Sequence, residues 1–213
     1  MPRKISHSPA QPYHHGDLRR ALIETALELV TEEQDWAFSL REVARRAGVS
    51  HQAPYNHFPE KQDLLAAVAV VGFERLRDGM KRAIAGIDDP EALVVAIGRT
   101  YVRLGLENPA LYRLMFGPAI ADAGPGDRPM VVRSAGAAAR AVLEDAIGRG
   151  ARSGAFSVSP ASPKDAVLAA HVFWSAVHGL TMLALDRLMA PEVTVDEMIE
   201  ALVRSEIRAL RKA

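Results

Sequence analysis

Between Ala166 and Leu185 the chain reads AVLAAHVFWSAVHGLTMLAL, twenty residues without a formal charge. In a protein where 24% of residues are charged, no other feature restricts the fold as much. The stretch is long enough to cross a bilayer. It also holds His171, Ser175, His178, Gly179 and Thr181, and no basic cluster flanks it as an orientation signal. A helix buried on all sides within a helical protein meets the same description, and a chain of 213 residues can supply such cover. The expectation is therefore a buried helix and no membrane partner.

Helical punctuation continues along the rest of the chain. Leu18, Ala21, Leu22, Thr25, Ala26, Leu29 and Val30 follow the spacing of one buried stripe, in a helix that should end near Gln34. Ser39 with Glu42 reads as a capping box opening a second helix, with Leu40, Val43, Ala44 and Ala47 inward. Gly48 suits the left-handed turn that ends it, Val49 can plug inward, and Ser50 is a good cap for a third, short helix. Ala53, Pro54 and Phe58 should face inward from that helix. A long helix is expected from about Glu60 to Ala85, then helices at 90–107 and 109–116, each opened by an N-cap and a proline, Asp89-Pro90 and Asn108-Pro109. After the loop GPAIADAGPGDRP come a helix at about 130–152, the apolar helix opened by Ser162-Pro163, and a last helix opened by Thr194 and Glu197. No period-2 strand is evident. The expected fold is all-α with about nine helices: a three-helix helix-turn-helix domain over 1–62, with 1–15 as a flexible arm, and a helical domain over 63–213.

Net charge is zero, which does not advertise nucleic-acid binding, but the distribution is uneven. Arg3, Lys4, Arg19 and Arg20 stand against Asp17 in the first twenty residues, and Arg41, Arg45, Arg46 and Lys61 against Glu42 and Glu60 in 39–61. A local basic face can hold phosphates within a neutral protein, because screening confines its field. The short third helix carries His51, Gln52, Tyr55, Asn56 and His57 where a core helix would carry aliphatics. In a helix-turn-helix the second helix enters the major groove, and such side chains suit base edges and phosphates. A plain three-helix bundle with a solvated third helix has the same spacing, although a merely solvated face seldom lacks acids.

The stretches YHHGDLRRALIETALELV and SLREVARRAGVSHQAPYNHFPEKQDLLAAVA resemble the N-terminal domain of TetR-family transcriptional regulators. Ala44, Gly48, Val49, Ser50, Tyr55, Phe58, Lys61, Leu64 and Leu65 carry the pattern, over about 13–70. NPALYRLMFGP and WSAVHGL are similar to the subgroup named for its Trp-His-Gly segment, here Trp174, His178 and Gly179. The resemblance implies a homodimer that binds double-stranded operator DNA through its first three helices. The remainder would bind an unidentified small-molecule effector and dimerise, with the last two helices pairing. The function so implied is a ligand-responsive regulator, a repressor released from a near-palindromic operator. By position the DNA contacts would be Ser39, Arg41, Ser50, His51, Gln52, Ala53, Tyr55, Asn56, His57 and Lys61. Of these, Tyr55, His57 and Lys61 are expected on phosphates, and His51, Gln52 and Asn56 nearer the bases. The chain departs from the family in having Gln34 where a helix-ending glycine is common, with Trp36 nearby.

In the C-terminal half, His171, Trp174, His178 and Met182 share one helical face, and Tyr101, Met115 and Phe116 can join them around an apolar pocket. Core or interface packing is the competing reading for each of these residues. Ile199, Leu202, Val203, Ile207 and Leu210 form an apolar stripe on the last helix, the expected dimer interface. His171 and His178 lie two turns apart, too far for one ion, so no metal and no cofactor are expected. No nucleophile elbow, phosphate loop, His-Glu-x-x-His pair or cysteine is present, which argues against an enzyme. Absence of cysteine and of an N-terminal apolar run fits the cytoplasm.

Overall fold

The computed structural model describes residues 15–120, 129–159 and 161–211. Among them are eight α-helices, two short 3-10 helices and no strand. The α-helices are α1 (His15–Glu33), α2 (Leu40–Arg46), α3 (Lys61–Ala83), α4 (Pro90–Glu107), α5 (Pro109–Phe116), α6 (Met130–Ser153), α7 (Pro163–Leu185) and α8 (Val195–Leu210). The all-α architecture is as the sequence predicts. The expected N-terminal arm, apart from helical His15, and the centre of the GPAIADAGPGDRP loop lie outside the described residues.

The third helix differs from expectation. It is a single 3-10 turn, Ala53–Asn56, and Ser50 does not cap it. Pro54 brings no N–H, and Pro59 disfavours helical geometry at Phe58. The turn ends on Pro54 O, which accepts from His57 N (2.9 Å) and Phe58 N (2.8 Å).

The caps divide. Thr194 and Glu197 form the full box: Glu197 N donates to Thr194 Oγ1 (3.2 Å) and Thr194 N to Glu197 Oε2 (2.8 Å). Ser39 makes only its half, Oγ accepting from Glu42 N (3.2 Å). The Glu42 carboxylate turns instead to Arg45, at 2.6 and 3.0 Å, because a guanidinium one turn on is a stronger donor than an amide. Asn108 and Ser162 make no side-chain cap; the Asn108 amide donates back to Leu104 O (3.1 Å). An unexpected box, Glu60 with Asp63, opens α3.

One apolar core runs from α1 to α8, joining Leu22, Val43 and Phe58 in the N-terminal part to Leu114, Phe173 and Val203. α3 spans both parts, packing on α1 at one end and on α4, α5 and α6 along its length. Its Gly72 admits α5 closely: a Cβ there would stand 2.6 Å from Met115 Sδ.

Two expectations about the last helices are corrected. α7 is not buried on all sides, since only 28% of its most apolar window is enclosed by the chain. Ala170, Phe173, Val177 and Leu180 point into the core, while Leu168 (61% exposed) and Val172 (53% exposed) stand outside with Leu183. On α8 the reverse holds. Ile199, Val203 and Ile207 are buried against α4 and α7 of the same chain, and Leu202 and Leu210 are half-buried beside them. The α8 stripe is consumed within the monomer, because α4 and α7 offer the nearest apolar cover.

Candidate functional site

The helix-turn-helix is held by its turns. Gln34 adopts the left-handed conformation itself (φ 57°), steadied by its amide, which donates to Thr31 O (2.6 Å). An Arg46–Glu32 ion pair ties α2 to α1. Gly48 takes φ 69°, where a Cβ is strained, and the turn closes with Val49 N donating to Ala44 O (3.0 Å). Ala44, Pro54 and Phe58 are buried and Val49 packs on the core. With that inner face fixed, the outer one is fixed too.

Arg41, Ser50, His51, Gln52, Tyr55 and Asn56 are exposed, and none of these side chains hydrogen-bonds to a described residue. Arg41, His51, Gln52 and Tyr55 enclose one shallow concavity. Ser39 is exposed as the cap of α2, and Ala53 is half-buried. His57 and Lys61 stand elsewhere. His57 lines a groove between α1 and α3 with Arg19, Arg20 and Arg75. Lys61 lays its ammonium 5.2 Å over the Phe38 ring, where burial lowers its pKa against the opposing pull of Asp35. Arg19 and Arg20 are additions to the sequence-derived set. Their signal was the basic excess of the first twenty residues.

The second site lies among the later helices. α3, α4, α5, α6 and α7 line a cavity of about 650 Å³, open to solvent beside Arg133 and Ala137 of α6, with Phe73, Tyr101, Phe116, Phe173, Trp174 and His178 among its walls. At one end the polar groups satisfy each other. Tyr112 Oη lies 2.6 Å from His178 Nδ1 and 3.0 Å from Tyr101 Oη. Tyr101 Oη lies 3.0 Å from the same nitrogen and accepts from Trp174 Nε1 (2.9 Å). Two hydroxyls converging on Nδ1 fit the tautomer with its proton on Nε2. Burial pushes His178 below its ordinary value, favouring the neutral ring. Burial also pushes Tyr112 up to about 12 and Tyr101 further in the same direction, so both remain phenols.

Four of the seven residues expected in the pocket, Tyr101, Phe116, Trp174 and His178, line this cavity. Three do not. Met115 is fully buried against Gly72. His171 bonds back to Val167 O (2.8 Å). Met182 is half-buried and packs against the core without reaching the cavity wall. Lining residues that the sequence did not point to include Phe73, Arg133, Arg140 and Phe173; behind the wall the buried Tyr112 was missed too, its spacing of four from Phe116 being the available signal. No group of three metal-ligating side chains occurs among the described residues.

Residues 22–68 match the family profile of bacterial regulatory proteins, tetR family. Residues 94–205 match the tetracyclin repressor-like C-terminal domain; the Trp-His-Gly subgroup is a finer assignment that this match does not carry. The HTH-type transcriptional regulator BetI of Rhizobium meliloti (strain 1021) is 32% identical over 85 residues, 40% of this chain and 42% of BetI. The shared part is thus less than half of that relative. A solved structure of a protein with unknown function from Rhodococcus sp. RHA1 is 33% identical, with a TM-score of 0.78 over 95% of this chain and 100% of that one. RolR, solved in complex with resorcinol, has the same fold at 20% identity, with a TM-score of 0.64 over 93% of this chain and 90% of RolR. With one profile on the helix-turn-helix and another across more than half of the chain, this protein belongs to the TetR family of transcriptional regulators.

Proposed function

We propose that the protein is a cytoplasmic, homodimeric repressor that leaves a near-palindromic operator when a small molecule fills the cavity. The observation that carries this reading is the row of exposed polar side chains on the helix-turn-helix that bond to no described residue. In this reading residues 1–62 are the DNA-binding head and 63–213 the effector and dimer body. Arg41, His51, Gln52 and Tyr55 meet base edges and phosphates around their concavity, with Ser50 and Asn56 beside them, while His57 joins Arg19 and Arg20 on the backbone. Two such heads enter successive major grooves about 34–36 Å apart.

The dimer face is assigned to the outer side of α7, where Leu168, Val172, Ser175, Gly179 and Leu183 recur at helical spacing. An apolar stripe of this kind calls for cover, and Gly179 leaves room for close approach. Effector coupling runs through α5. Its Phe116 is a cavity wall, and the adjoining Met115 seats in the space left by Gly72 of α3. Displacing α5 shifts α3, whose start adjoins the recognition turn at Phe58. The ligand shifts the equilibrium only by its differential affinity for the two states. RolR, solved with resorcinol, is a protein of this fold holding a small ring.

Fluorescence anisotropy with duplex from upstream of the coding region, against a scrambled duplex of equal composition, tests the reading. A preference of roughly a thousandfold or more is expected; no binding to either duplex by a dimeric, ligand-free protein would sink it. In the same preparation Leu168→Glu/Leu183→Glu should sediment as a folded monomer. A dimer that survives both charges moves the interface away from α7.

A further inference from the structure

We infer that the cavity takes an amphiphilic aryl carboxylate, its ring body among the aromatic walls and its anionic group held at α6 between Arg133 and Arg140. This rests on the effector reading of the cavity and names the chemistry of that effector. Arg133, Gly136, Ala137 and Arg140 all line the cavity from α6, and their spacing of three, four and seven puts them on one helical face. The two arginines are about 10 Å apart along the axis. On the cavity-facing strip between them stand only Gly136, Ala137 and Ala139, so an anion can approach the backbone with a guanidinium on either side.

Both arginines have donors to spare. Arg133 is exposed and makes no hydrogen bond or ion pair with a described residue. Arg140 donates from Nε to Glu144 Oε1 (2.9 Å). That bond orients the guanidinium and leaves its terminal nitrogens without a partner among the described residues. A carboxylate is the group such forks hold best, since charge-assisted bonds exceed neutral ones and the planar geometries match.

The rest of the cavity requires the remainder of the ligand to be uncharged. Phe73, Phe116, Phe173 and Trp174 supply ring walls, and the Tyr101–Tyr112–His178 cluster is neutral. That cluster has three short edges but only two hydroxyl protons when Nδ1 is the acceptor. With Tyr112 donating to Nδ1 across the 2.6 Å edge, the Tyr101 proton can turn to a ligand oxygen without baring the nitrogen. A hydroxyl or carbonyl on the ring body, remote from the carboxylate, completes the complement.

The test is calorimetric titration of the full chain with 6-hydroxy-2-naphthoate and with its methyl ester, which keeps the ring and hydroxyl and loses the charge. The acid should bind roughly 10- to 100-fold tighter, the difference expected when hydrogen bonds to a charged group are lost. Arg133→Ala/Arg140→Ala should bring the acid to the ester's affinity and leave the ester unchanged. Equal binding of both probes, or a preference that survives the double variant, overturns the carboxylate assignment and leaves the effector cavity standing. Ala139→Phe, which fills the cavity, should abolish the heat of both probes. Heat that persists there places the site elsewhere and overturns both readings. If neither probe binds the unaltered chain, the assigned class fails. The effector reading is then judged by whether Ala139→Phe alone releases operator DNA.

Discussion

The recognition turn and the cavity are built from the same kinds of side chain and treat them in opposite ways. On the turn, His51, Gln52, Tyr55 and Asn56 are exposed and bond to nothing described in the chain. At one end of the cavity, Tyr101, Trp174 and His178 of its wall and the buried Tyr112 behind them bond to one another within 2.6–3.0 Å. Water satisfies the first set and can be exchanged for DNA at little cost in lost internal bonds. The second set is shielded from water, and there an unmade bond carries the full desolvation penalty. Substitutions on the turn should therefore change binding and spare folding. Substitutions in the cluster should change folding first.

The largest effect expected is on the turn. Tyr55→Ala removes a side chain 38% exposed on the outer face. Loss of one such contact costs roughly 1–3 kcal/mol, and a dimer carries the change at both half-sites. Operator affinity should fall at least tenfold in anisotropy, while stability stays within about 0.5 kcal/mol, as for most surface changes. A Tyr55→Ala protein that binds normally would erase the contrast from one side. From the other side, Tyr112→Phe keeps the ring and deletes the hydroxyl that reaches both His178 and Tyr101. Stability should fall by about 1–3 kcal/mol, because Nδ1 loses its closest donor inside a shielded cluster, with operator affinity unaltered for the folded fraction. Urea denaturation measures the first and anisotropy the second. A neutral Tyr112→Phe would mean that water already serves the cluster.

The sequence made these regions legible to different degrees, for physical reasons. Helix ends at Asp89-Pro90 and Thr194-Glu197 are local, set by groups within one turn, and the structure keeps them. The recognition turn was also readable, because glycine, two prolines and a run of hydrogen-bonding residues restrict it locally. Its length was not, since α against 3-10 geometry depends on how Pro54 and Pro59 act together. Pocket membership was half legible. Trp174 and His178 follow from the face of α7, but Met115 leaves the wall because its side of α5 meets Gly72, a long-range contact. For α7 and α8 the sequence offered two apolar stripes and no means of ordering them. Which stripe the monomer buries depends on α4, sixty and more residues earlier in the chain, and no pattern within either helix records that.

Acid should act on the cluster more gently than the deletion does. The ordinary histidine value is 6.5, and burial lowers that of His178 in the folded chain. Below 6.5 the unfolded chain therefore takes up a proton that the native ring still refuses. The unfolded state binds more protons in that window, so stability rises with pH across it and levels off above 6.5. The melting temperature at pH 5.5 should lie below that at pH 7.5, since protonating Nδ1 removes the acceptor of both tyrosine hydroxyls. His178→Gln, which keeps an acceptor but cannot titrate, should flatten this acid limb relative to the unaltered protein. An equally steep limb in that variant would place the titrating group outside the cluster. The inward set would then be rigid for its packing alone, and its hydrogen bonds would not explain how the cavity keeps its shape.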